Sequence, residues 1–121
     1  MEKIQCICVM RDLMQALAGI ENNLMEVHGV SLNEAMVLCS IGTDTVTAGT
    51  IIACTGMTSS HTSKTIRSAE EKGLLTRSLG ENDKRQMYFT LTQKGKDCLA
   101  SIKERGVEVP KWLAPMFARH E

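Results

Sequence analysis

The sequence predicts a mainly helical α+β fold carrying one small β-hairpin, and three observations predict it. Hydrophobic residues make up 43% of the 121 positions but aromatics only 3%. A core so poor in rings must be built from Leu, Ile, Val, Ala and the eight Met, which suits packed helices better than a β-sandwich. Apolar residues recur at helical spacing in several segments, each opened by a capping residue or closed by glycine. Two short stretches alone read as strands, Leu74–Leu79 and Met87–Leu91, with a charged, turn-rich loop between them. At 13.3 kDa the chain holds one hydrophobic core, so residues 1–121 are expected to form a single domain.

From about Lys3 to Val27, apolar side chains at Ile4, Ile7, Met14, Leu17, Ile20 and Leu24 alternate with Arg11, Asp12, Glu21 and Glu26. This pattern predicts a long amphipathic helix ending near His28-Gly29. Ser31 followed by Glu34 is a capping box, and Leu32 to Ile41 then form a shorter helix stopped by Gly42. A third helix begins after Thr47 and runs to Cys54 or Thr55, with Gly56 just beyond. Thr58 caps a fourth, Ser59 to Lys72, closed by Gly73. Its first turns are almost wholly polar, with Ile66 and Ala69 as the evident apolar surface, so it either frays or presents a polar face to a partner. The hairpin follows, its tip formed by Gly80 to Gln86. Thr92 caps a last helix reaching Arg105 and stopped by Gly106, and beyond it Pro110 to Phe117 carries the only Trp.

Several function classes are excluded by composition. No apolar run approaches the roughly 18 residues of a membrane span. The first ten residues do not read as a signal peptide, because Arg11 and Asp12 interrupt the apolar stretch and no small-residue cleavage site follows. Five cysteines at Cys6, Cys8, Cys39, Cys54 and Cys98 form no disulfide framework and suit reduced thiols in a cytoplasm. Cys6 and Cys8, two apart, point to different sides of a helix. His28, His61 and His120 have no ligand spacing with any Cys, so no metal site is expected. There is no glycine-rich phosphate loop and no nucleophilic triad with supporting context, so neither a cofactor nor catalysis is expected. The formal net charge is zero, but it is unevenly spread. Met1 to Thr58 carries two basic residues against six acidic, whereas Ser59 to Lys96 carries eight basic against four acidic. One contiguous third of the chain is therefore basic and could face an anionic polymer.

Helix, helix, short loop, polar helix, hairpin, helix is the order of a winged helix-turn-helix, and at this point the residues resemble the MarR family of bacterial transcription regulators. Thr50-Ile51-Ile52-Ala53-Cys54-Thr55-Gly56-Met57-Thr58 is similar to the first half of the family's helix-turn-helix, and Ser60 to Arg67 falls on its recognition helix. Glu70-Glu71-Lys72-Gly73-Leu74-Leu75-Thr76-Arg77 resembles the helix end and first wing strand. Asn82-Asp83-Lys84-Arg85 occupies the Asp-x-Arg wing motif, and Leu91-Thr92-Gln93-Lys94-Gly95 resembles the Leu-Thr-x-x-Gly that follows. Thr50 stands in place of a frequent Glu, Ala69 in place of a larger aliphatic residue, and Thr55 and Thr62 at commonly apolar positions. These departures imply a slightly underpacked helix-turn-helix.

The resemblance implies a lobe over about 32–102 flanked by dimerisation elements at about 1–28 and 107–121. Its recognition helix would present Thr58, Ser59, Ser60, His61, Ser63, Lys64 and Arg67 to double-stranded DNA, with Lys64 reaching farthest past its short neighbours. Asp83, Lys84 and Arg85 would form the wing, with Arg85 in the minor groove and Asp83 holding the loop by pairing with a basic neighbour. Arg77 and Lys94, like Lys84, would touch phosphates at most. Trp112, Leu113, Met116 and Phe117 are too apolar for a solvated tail and are expected to pack on Ile4, Ile7, Met14 and Leu17 across a two-fold axis, completing an abbreviated dimer arm. The implied function is a cytoplasmic, homodimeric, sequence-specific transcriptional regulator. It would act as a repressor on a near-palindromic operator, released by a small-molecule effector or an oxidant. The competing reading, favoured by the zero net charge, is a winged-helix module that binds protein without specific DNA binding.

Overall fold

The computed structural model describes residues 1–83 and 85–120, and each sequence-predicted helix is present. Helix α1 spans Val9–His28 and closes on Gly29, whose φ of 72° lets its N–H reach the Met25 carbonyl. Helix α2 (Leu32–Ile41) opens with a reciprocal capping box: Glu34 N–H donates to Ser31 Oγ at 3.1 Å and Ser31 N–H donates to Glu34 Oε1 at 2.8 Å. Helix α3 (Ala48–Thr55) starts at Thr47, which accepts from Thr50 N–H. Helix α4 (Ser59–Glu71) starts at Thr58, which accepts from His61 N–H. The hairpin strands are β2 (Leu75–Leu79) and β3 (Met87–Leu91), and α5 (Gln93–Arg105) is followed by a 3-10 helix, Ala114–His120.

Two elements differ from expectation. Helix α1 begins at Val9, not near Lys3: Ile4 and Ile7 have helical spacing but remain exposed, with nothing to pack against within this chain. Periodicity without burial or a cap does not carry a helix. A third strand, β1 (Val46–Thr47), pairs antiparallel with β3 through Val46 opposite Phe89 and Thr47 opposite Tyr88, giving the sheet order β1-β3-β2. At two residues it is too short to leave an alternating pattern.

The main core gathers Val37, Leu38 and Ile41 of α2 with Ile51, Ile66 and Phe89, while Leu74 and Leu75 close it from the hairpin side. A second cluster joins Ala16, Ile20 and Leu24 of α1 to Leu113. Leu113 thus corrects the expectation of packing across a dimer axis: it is buried against its own α1. The polar helix α4 also docks more firmly than its composition suggests. Thr62 and Thr65 are buried beside Ile66 and Ala69, and their hydroxyls donate to the carbonyls of Thr58 at 2.8 Å and His61 at 2.9 Å. Each threonine so satisfied offers its methyl to the core, which is how Thr62 occupies a commonly apolar position.

The wing is latched to α5 at one residue. Thr92 Oγ1 donates to the Gly73 carbonyl at 2.6 Å and accepts from Gly95 N–H at 3.1 Å, while Thr92 N–H donates to the Leu74 carbonyl at 3.0 Å. Gly95 is buried so close to the Leu74 carbonyl that a Cβ there would overlap the oxygen. Gly95→Ala should therefore force α5 off the hairpin and destabilise the fold by about 3 kcal/mol, at the upper end of the overpacking range. Chemical denaturation monitored by circular dichroism checks this, and unchanged stability would contradict the latch.

Candidate nucleic-acid interface

Helix α4 is divided cleanly between two faces. The buried face is Thr62, Thr65, Ile66 and Ala69. Thr58, Ser59, Ser60, His61, Ser63, Lys64 and Arg67, every residue singled out on this helix from sequence, are exposed. Neither Lys64 nor Arg67 makes an ion pair among the described residues. Short hydroxyls surrounding two uncommitted cations form a surface able to approach base edges and phosphates closely. His61 is less free, since its Nε2 lies 3.3 Å from Asn33 Nδ2 of α2, close enough to accept an amide proton. Asn33 is a neighbour of this surface that sequence patterning did not find, because the contact spans 28 residues and no local motif marks it.

At the wing, Asp83 Oδ1 accepts from Arg85 N–H at 3.0 Å and lies 3.4 Å from Arg85 Nε, so Asp83 holds the turn through a basic neighbour, which is Arg85. The Arg85 side chain is 94% exposed and projects from the tip. Gly80 N–H donates to the Gln86 carbonyl, and Gln86 N–H to that of Asp83, closing the loop. Lys84 lies outside the described residues.

Other cations of the basic third serve the fold. Arg77 makes a bidentate pair with Glu70, at 2.9 and 2.8 Å, and its guanidinium stacks 5.6 Å from the Phe89 ring centroid. Lys94 Nζ donates to the Lys72 carbonyl. Lys72 Nζ donates at 2.7 Å to Glu34 and at 3.0 Å to the Gly29 carbonyl. Through these bonds Arg77 and Lys94 brace α4 against the wing and α5.

Glu34 carries more than its cap. Its carboxylate is buried, and besides Ser31 N–H it accepts from Lys72 and, at 2.5 Å through Oε2, from the Ser68 hydroxyl. Burial alone would push its pKa up, but the Lys72, Ser31 and Ser68 hydrogen bonds outweigh that and hold it below its ordinary value of 4.5.

Of the residues assigned to a dimer arm, Ile4, Ile7, Met14, Leu17, Trp112, Met116 and Phe117 are all exposed. Val9, Met10 and Leu13 add to the apolar surface around α1, so only Leu113 of the expected set is withdrawn into the chain.

Residues 28–86, from the end of α1 through the wing loop, match the MarR family profile. No curated protein sequence matches the chain. Among solved structures, Bordetella bronchiseptica BpsR, studied for the regulation of its DNA binding by 6-hydroxynicotinic acid, superimposes with a TM-score of 0.71 at 16% identity, over 80% of this chain and 69% of its own. AbsC, a MarR family transcriptional regulator from Streptomyces coelicolor, gives 0.70 at 18% identity over 86% and 76%. MepR of S. aureus, solved in complex with DNA, gives 0.64 at 18% identity over 80% and 81%. At these identities the likeness is one of fold, the winged helix-turn-helix expected from the order of elements.

Glu34→Gln keeps the shape of the side chain and removes its charge, so it isolates the ionic part of the junction between α2 and α4. It should cost about 2 kcal/mol at neutral pH, the range of hydrogen bonds to charged groups. Because the folded pKa is depressed, this contribution is fully present above the ordinary carboxyl range and is lost as pH falls below about 4.5 through the folded value. The difference in Tm between wild type and variant should therefore be constant near neutrality and shrink in acid. A difference that grew in acid would refute the assignment.

Proposed function

Residues 28–86 match the MarR family profile, and from that premise we propose that the protein is a homodimeric, sequence-specific DNA-binding transcriptional regulator. The observation that carries the proposal is the division of α4: one face is docked by Thr62, Thr65, Ile66 and Ala69, and the other leaves Lys64 and Arg67 uncommitted among exposed hydroxyls. In a winged helix the N-terminal part of this helix enters the major groove. Ser59, Ser60 and Ser63 then lie against base edges or phosphates, with Thr58 at the helix start, while Lys64 and Arg67 supply the long cationic contacts. Asn33 sets the His61 ring beside them. Arg85, exposed at the wing tip with Asp83 holding its turn, enters the minor groove and reads its width and potential. Lys84, next to it in sequence, adds a phosphate contact. MepR, crystallised on DNA, has the same fold.

The exposed apolar residues of α1 and the C-terminal segment supply the dimer interface: Met14 and Leu17, with Ile4 and Ile7, facing Trp112, Met116 and Phe117 of a second copy. Two recognition helices then meet half-sites about 34 Å apart on a near-palindromic operator. Binding there represses. A small-molecule effector or an oxidant that alters the separation of the two helices costs the second half-site and releases the operator. BpsR is a precedent for effector control in this fold, since 6-hydroxynicotinic acid regulates its DNA binding.

Fluorescence anisotropy on the duplex upstream of the protein's own gene, against a shuffled duplex and across a salt series, tests the reading. Wild type should prefer the native duplex and lose affinity steeply with salt. Arg85→Ala should weaken both duplexes alike and lower the salt slope by about one, whereas Lys64→Ala should lose discrimination worth about 1–3 kcal/mol if it reads a base. Equal, weak binding to both duplexes would leave the protein-interaction reading. Sedimentation should show a dimer that Met14→Glu converts to a monomer, and a monomeric wild type would remove the two-half-site mechanism.

A further inference from the structure

Between α2 and α3, away from the exposed face of α4, lies an open groove of about 400 Å³ lined by Met36, Cys39, Ser40, Cys54 and Thr55. Both cysteines are free and exposed. Met36 and Cys39 stand three residues apart and so share one face of α2, while Cys54 comes from the last turn of α3. The protons of the two hydroxyls in the lining are engaged, Ser40 Oγ donating to the Met36 carbonyl and Thr55 Oγ1 to the Ile51 carbonyl, each at 2.8 Å, so each offers a ligand only neutral oxygen. No carboxylate, imidazole or ammonium lines the groove among the described residues. What it offers a ligand is sulfur: two thiols and a thioether, contributed by two helices.

We propose that this groove is a binding site for a soft, monovalent d10 cation, Cu+ or Ag+, held by the thiolates of Cys39 and Cys54 with the Met36 thioether as third ligand. Thiolate and thioether sulfur select soft cations, and the only oxygen ligands in the lining are neutral hydroxyls, which without a carboxylate beside them hold a hard cation weakly. Binding breaks two S–H bonds and forms three S–metal bonds, two to thiolates and one to the Met36 thioether, releases two protons to solvent and changes no oxidation state, so affinity rises with pH. The other cysteines are placed differently. Cys6 and Cys8 lie before α1, and Cys98 is half-buried, its thiol pushed up by burial and by the charge of Glu34. With ligands on both α2 and α3, the bound ion ties the first helix of the helix-turn-helix to its neighbour.

The site does not depend on DNA binding, and its test needs none. The reduced full-length chain is titrated anaerobically with Cu+ under ascorbate against a chromogenic Cu+ chelator, with Zn2+ in a parallel titration. One equivalent of Cu+ per chain should bind, more tightly than Zn2+. X-ray absorption of the loaded protein should show sulfur-only coordination. Cys39→Ser and Cys54→Ser should each weaken binding by about 100-fold, because either change removes the second, intramolecular ligand. Cys6→Ser/Cys8→Ser should bind as wild type does. Both target cysteines are exposed, so the serine variants are expected to fold, and unchanged circular dichroism confirms that the loss is local. Wild-type Cu+ affinity in the Cys39→Ser/Cys54→Ser variant, loss of binding in the Cys6→Ser/Cys8→Ser variant, or equal preference for Zn2+ would each overturn the proposal.

Discussion

Where α2 meets α4, one buried carboxylate accepts hydrogen bonds from three sources: the Ser31 backbone, the Ser68 hydroxyl and the Lys72 ammonium. The same ammonium reaches the carbonyl of Gly29, the residue that ends α1. Three segments are thereby tied to one another around Glu34 and Lys72: the turn after α1, the start of α2 and the end of α4. A buried ionic group is not in itself a large source of stability, since desolvation offsets much of the attraction. Its geometric demand is another matter, because a carboxylate removed from water must find its donors in place. Ser68 and Lys72, four apart on one face of α4, meet this demand together. The polar helix, which has little apolar area with which to define its own position, is located by that requirement.

The rest of α4 follows from this anchorage. A second tie, Glu70 to Arg77, lies on the wing side, and the Arg77 guanidinium covers Phe89 of the middle strand. Lys94 of α5 closes on the Lys72 carbonyl. The C-terminal half of the helix is thus bound to α2, the sheet and α5, while its N-terminal half is held by the Thr58 cap and the back-bonded threonines. What remains free is a rigidly mounted strip of short polar side chains with Lys64 and Arg67. Mounting matters to any such surface, because a base edge or phosphate is read through hydrogen bonds that tolerate little misplacement.

Much of this was legible in the sequence because it is encoded locally. Caps at Ser31, Thr47, Thr58 and Thr92, and the stops at Gly29, Gly42, Gly56 and Gly106, set helix boundaries through hydrogen bonds between residues three or four apart. The exposed set on α4 was equally readable, as a polar run interrupted at helical spacing. What escaped depends on distant partners. Strand β1 exists because Val46 and Thr47 meet β3 more than 40 residues later. Helix α1 starts later than its periodicity suggests because Ile4 and Ile7 have the right spacing but no partner surface within the chain. Leu113 has the same apolar character as its exposed neighbours, yet it is buried beside Ala16, Ile20 and Leu24 of α1, a contact across about 90 residues that no local pattern marks. The basic balance of Ser59 to Lys96 was read correctly as a count. Pairing with residues such as Glu34 and Glu70 then decided which cations stay available.

That last distinction bears on how a chain of zero net charge can present a surface to a polyanion. Net charge governs long-range fields, but those fields are screened within about 10 Å at ordinary ionic strength. At contact, the relevant quantity is the set of cations not already neutralised nearby. Glu34 takes Lys72 and Glu70 takes Arg77, so these acids subtract from the total without weakening the exposed face of α4. Asp83 sits beside Arg85 yet chiefly accepts the backbone N–H, leaving the guanidinium extended from the wing. The acidic residues of this lobe thus build the scaffold as much as they oppose a nucleic acid, and the zero total is a poor guide to the field at the surface that would meet one.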